Sequence, residues 1–230
     1  MFACLNAASL IILGLVLQIG GAYIVNAVIL SLGDAPAAVE YSDYMAAMYE
    51  LEPRAVTHAI FVAPLVEEIV FRLIFLRAGC MVLPFWAANI IQAVLFGIYH
   101  STSFQRVYAV IMGLIIGCVF HYCPIIYRNH AAGYGYVSRS GANEADRSSP
   151  RGFAIVDLPN SLMGVGITFM LHVVINVAGL FIVPRFPADI AVPVQYAIGT
   201  VLMMAAGGAC YVLYRQSKKT LPPKQDGIIL

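Results

Sequence analysis

The sequence predicts an all-α fold, a polytopic integral membrane helical bundle with about six transmembrane helices. Two observations carry this. Of 230 residues, 61% are hydrophobic and only 11% charged, against roughly 45–50% and 25% in soluble domains. The apolar residues also gather into runs close to the ~20 residues that span a hydrocarbon core, with polar connections between them.

The first run, 5–32, has Gln18 and Asn26 as its strongly polar interruptions. No basic residue precedes it, so it is expected to stay in the membrane and not be cleaved as a secretory leader. Residues 33–57 are acidic and extramembrane, with Asp34, Glu40, Asp43, Glu50 and Glu52 against Arg54. The second run is 58–83. The third, 85–99, is short, since 15 residues at the helical rise reach only about 22 Å. The fourth, 104–123, carries Gly113 and Gly117 in a small-xxx-small spacing that lets helices approach closely. Residues 124–157 form a polar insertion with Arg128, Arg139, Arg147 and Arg151, followed by runs at 158–183 and 190–214 and a basic tail. Three regions follow: 1–57, the first helix and acidic loop; 58–183, a membrane core; and 184–230, the last helix and tail. The positive-inside rule places the arginine-rich loop and the C-terminal tail in the cytoplasm.

A formal net charge of +1 gives no reason to expect a nucleic-acid partner. The partner that the composition implies is a lipid bilayer. Cys4, Cys80, Cys118, Cys123 and Cys210 are odd in number and lack a CxxC pair, so they read as small buried hydrophobes and not as a disulfide framework.

The chemistry is concentrated in the second run, at Glu67-Glu68-Ile69-Val70-Phe71-Arg72. Each charge near a bilayer midplane costs roughly 2.5–3.5 kcal/mol, so such a cluster marks a functional site. On an α-helix Glu68 and Arg72 are i,i+4 and share a face, whereas Glu67 points about 100° away. Glu68 is then the paired carboxylate and Glu67 the one free to take a proton. Pro64, one turn upstream, removes a backbone hydrogen bond and is expected to disturb the helix. The third run ends in Phe96-Gly97-Ile98-Tyr99-His100, and the fifth holds His172-Val173-Val174-Ile175-Asn176, again i,i+4. His172 and Asn176 can donate hydrogen bonds to a developing oxyanion. His58, His121 and His130 are given no role. Ser101 and Ser103 lack a Gly-x-Ser-x-Gly setting, and Cys118 and Cys123 lack a nearby acid, so neither type makes a convincing nucleophile.

The succession EExxxR, FxxxH and HxxxN, each on its own apolar helix, resembles the CPBP or Abi family, which includes the type II CAAX prenyl endopeptidases. The resemblance covers about residues 61–183 and implies an intramembrane endopeptidase of the glutamate type. It implies that Glu67 is the general base with His100 as its helper. His172 and Asn176 correspond to the oxyanion pair, and Glu68 with Arg72 to the supporting pair. The resemblance implies a peptide or membrane-protein substrate as partner, for example a prenylated CAAX protein or a leader-bearing peptide. No cofactor is expected. Zinc is the minority alternative, since Glu67, Glu68, His100 and His172 could supply ligands although no HExxH is present. A proton-coupled carrier or a non-catalytic membrane immunity factor would use the same polar cluster differently. A carrier favours inverted repeats, which the sequence does not display.

Overall fold

The computed structural model describes residues 7–133, 158–187 and 189–219. Over these residues it is all-helical, a polytopic bundle of seven helices. They are α1 (Ala7–Leu32), α2 (Pro36–Tyr49), α3 (53–79), α4 (Phe85–Tyr99), α5 (Ser103–Gly133), α6 (Leu158–Arg185) and α7 (Val192–Lys219). Four of them, α1, α5, α6 and α7, are long and apolar enough to cross a membrane. α4 is too short for that class, and α3 carries too many charges. Every apolar run in the sequence therefore forms a helix, and the bounds of the short third run coincide with those of α4. Arg128 falls in the last turns of α5, whereas Arg139, Arg147 and Arg151 of the insertion and the end of the tail, on which the expected orientation also rests, lie outside the described residues.

α5 is the central helix. Its most apolar stretch is 72% buried, against 22–33% in α1, α6 and α7. Met112, Ile116 and Val119 of α5 meet Leu17 of α1, Leu171 and Ile175 of α6 and Ala206 of α7 in one apolar core. The outer faces keep large apolar side chains exposed, such as Ile12, Val201 and Met204, as expected where lipid is the solvent and exposure of Leu or Ile carries no penalty. α5 runs on through Pro124 to Gly133, past the end of its apolar run.

The small-residue spacing in α5 does bring helices together. A methyl group added at Gly113 would press on the Ala93 backbone, and one at Gly117 would collide with Asn89. The approach serves polar chemistry as well as packing. The Asn89 amide donates to the Leu114 carbonyl at 3.0 Å, and the Gln92 amide donates to the Gly113 carbonyl at 2.9 Å and to Asn89 Oδ1 at 2.8 Å. The N–H groups of two buried amides thus find partners across α4 and α5, as hydrocarbon demands, while Gln92 Oε1 has none among the described residues.

α2 was not expected. Residues 33–57 read as an acidic connection, yet Pro36 opens a helix of 14 residues. Ala38, Tyr41, Tyr44, Met45 and Met48 recur at helical spacing on its more buried face, while Glu40, Asp43 and Glu50 are exposed. Tyr41 packs edge-on against Phe104 of α5 at 5.8 Å. Burial, reinforced by Tyr49 and Tyr44, pushes the Tyr41 phenol up to about 12, so the ring stays neutral on this face.

Candidate active site

α3 positions the carboxylates, and its backbone is unusual. It begins at Pro53, whose fixed φ suits a first helical turn. It then alternates between α turns and wider π turns at His58–Val62 and Glu68–Leu76. In the wide turns the Ala63 N–H bonds to the His58 carbonyl and the Arg77 N–H to the Arg72 carbonyl, one residue further back than in an α-helix. A proline clashes with the carbonyl four residues before it. A wide turn directly ahead of Pro64 relieves this without breaking the helix, and such turns cluster at functional sites. Pro64 thus reshapes α3 and does not end it.

Glu68 and Arg72 share a face, as their spacing predicted. Arg72 Nε lies 3.3 Å from Glu68 Oε2, and both side chains are completely buried. The guanidinium also stands over the Phe96 ring, 4.5 Å from its centroid, in cation–π geometry. Among the described residues none of the Arg72 N–H groups makes a hydrogen bond of good geometry. The cation is therefore held by one carboxylate and one aromatic face.

Glu67 has different surroundings. Its side chain is 12% exposed and lines a cavity of about 480 Å³ together with His100, His172 and Asn176. All four residues reach that cavity from three helices, and Glu68 and Arg72 stand behind it. The 100° separation of the two glutamates thus becomes a division between a buried, ion-paired carboxylate and a cavity-facing one.

His172 joins the two. Its Nδ1 is 2.9 Å from Glu68 Oε1 and its Nε2 is 3.5 Å from Glu67 Oε2. Spacing within one helix cannot reveal this, because it depends on how α6 packs against α3. With Glu68 accepting from Nδ1–H, Nε2 is the ring position left toward Glu67 and the cavity. Asn176, one turn on, donates its amide to the Ala59 carbonyl of α3 at 2.8 Å. That carbonyl lies at the first wide turn, whose backbone groups are displaced from the ordinary ladder.

His100 ends α4 with an extended backbone. Its Nδ1 lies 2.8 Å from the Phe96 carbonyl, which can only accept, so Nδ1 carries the proton. Nε2 is then an acceptor. Two residues to which the sequence reading gave no role support this arrangement. Arg106 donates from Nε to the His100 carbonyl and from Nη2 to the Ser101 carbonyl, both at 3.0 Å, fixing the α4–α5 turn. Phe96 packs edge-on against His100 at 4.8 Å and His172 at 6.0 Å while lying under Arg72. It is the shared aromatic wall of the site. Its place in the FxxxH motif was the available signal, and reading only the histidine passed over it.

Neither curated proteins nor solved structures gave a match to this chain. A match was found to one family model, covering about a third of the length and containing Glu67, Glu68, Arg72, Phe96 and His100, with His172 and Asn176 beyond it. Residues 52–129 of the chain match the model described as Type II CAAX prenyl endopeptidase Rce1-like, within the family that the motifs resemble.

Proposed function

We propose that this protein is an intramembrane endopeptidase in which Glu67 activates water for attack on a peptide carbonyl. The observation that carries the reading is the buried Glu67, Glu68 and His172 cluster opening onto a cavity shared with His100 and Asn176. The match over 52–129 supports it and points to protein or peptide substrates. A prenylated CAAX protein or a leader-bearing peptide is the substrate class we assign.

Water binds between the Glu67 carboxylate and His100 Nε2, both acceptors. As its oxygen attacks the carbonyl carbon, Glu67 takes the proton and the carbonyl π pair moves onto oxygen. The resulting oxyanion is met by Asn176 and His172. Nδ1–H of His172 is already given to Glu68, so Nε2 donates to the oxyanion only when the ring is an imidazolium. The proton on Glu67 then passes to the leaving amine as the C–N bond breaks, leaving an acid and an amine and restoring the carboxylate.

Asn176→Ala is expected to lower kcat by about 100- to 1000-fold, the usual effect of losing one oxyanion donor, with a smaller change in KM. Steady-state kinetics on a cleaved peptide would separate the two. A change in KM alone would make α6 a substrate contact.

The donor set suits a metal poorly. Among the described residues no three His, Cys, Asp or Glu side chains are grouped to hold an ion. Glu68 also has a guanidinium 3.3 Å away, which opposes a second cation there. We propose catalysis without metal, so activity is expected to survive chelators. Stoichiometric zinc, lost and regained together with activity, would overturn this.

A further inference from the structure

A second cavity of about 460 Å³ adjoins the first, between α1, α2 and the turn after α6. This is within the ~300–1,000 Å³ typical of ligand pockets. Gln18, Tyr41, Met45, Tyr108 and Gly179 line both cavities. On that common wall the Tyr108 hydroxyl donates to Gln18 Oε1 at 2.8 Å. Gln18, an unexplained polar residue within the first apolar run, thereby acquires a partner and a place. Gly21 of α1 leaves the room that the Tyr108 ring occupies, because any Cβ there would run into it.

The second chamber has a distinct chemistry. Tyr23 and Phe186 stack within it at 5.7 Å, and Tyr49, Ile29 and Pro184 add to its apolar lining. Among the described residues no charged side chain lines it. Its polar lining is the uncharged Gln18, Asn26 and Ser42, so a charged ligand would find no counter-charge there, whereas a bulky uncharged group would gain both burial and aromatic contact.

We propose that this chamber is a specificity subsite for one bulky uncharged side chain, aromatic or aliphatic, on a residue flanking the scissile bond, with the Tyr108–Gln18 pair as its threshold. The inference rests on the endopeptidase reading, and its test separates the two. Ala22 and Ala46 line the second chamber and not the first, so Ala22→Trp and Ala46→Trp each fill it without touching the carboxylates. Full-length protein in lipid nanodiscs is given a random decapeptide library, and the products are sequenced by mass spectrometry.

The wild type is expected to favour bulky uncharged residues over alanine at one position beside the cleaved bond by about tenfold or more. Both tryptophan variants should lose that preference while still cleaving the alanine peptides. An unchanged preference in both would overturn the proposal. In parallel, the Glu67→Gln protein is photolabelled with decapeptides carrying one p-benzoylphenylalanine. Label on Tyr23, Tyr49 or Phe186, lost in Glu67→Gln/Ala46→Trp, supports the subsite. Label confined to the first cavity, or none, contradicts it. A labelled chamber together with a wild type that cleaves no peptide of the library would refute the protease reading and leave the chamber as a binding site.

Discussion

Glu67→Gln is expected to abolish peptide cleavage while leaving the fold intact. The amide keeps the shape of the carboxyl but cannot accept the proton of an attacking water, and loss of a general base typically removes about 100- to 10,000-fold in rate. The fold should tolerate the change because Glu67 faces the cavity and approaches His172 only at 3.5 Å. Expression, detergent extraction and thermal midpoint should therefore stay near those of the wild type. A purified Glu67→Gln protein with full activity would end the assignment of Glu67 as base.

The opposite pattern is expected one turn later. Arg72→Ala removes the cation 3.3 Å from Glu68, a fully buried carboxylate, and leaves it the hydrogen bond to His172 Nδ1 at 2.9 Å. Breaking a buried pair from one side usually costs about 3–5 kcal/mol. The protein should lose thermal stability sharply and yield poorly on extraction. Arg72→Met with Glu68→Leu should recover part of that stability, because an apolar pair strands no charge. It would not recover activity, since His172 loses the carboxylate that orients it. A fully stable Arg72→Ala protein would show that Glu68 is compensated by other means. The contrast matters because loss of activity alone does not distinguish a base from a structural ion pair.

Much of the architecture was readable from apolar content. In lipid the backbone must satisfy itself, so a run of apolar residues has few alternatives to a helix, and α1, α4, α6 and α7 lie close to their runs. α2 was missed because its five-residue inner stripe is interleaved with Glu40 and Asp43, and the charges outweighed the spacing. The division between Glu67 and Glu68 was legible because it depends on angle within one helix. The contacts of His172 with both carboxylates were not, because they depend on the docking of α6 against α3. Asn89 and Gln92 were passed over inside an apolar run, although a buried amide in hydrocarbon always demands a partner. Gln18 was noticed but could not be interpreted until Tyr108 stood opposite it.

The carboxylates sit roughly midway along α3, among exposed apolar neighbours such as Val66 and Phe61. On the proposed reading, a membrane-resident substrate reaches them as a solute of the lipid, and encounter takes place in two dimensions. The concentration that sets the rate is then the mole fraction of substrate among lipids, not its molarity in the sample. Adding empty lipid or detergent at constant protein and substrate dilutes both reactants within the phase where they meet. A Michaelis constant measured in one preparation therefore transfers to another only when expressed per lipid.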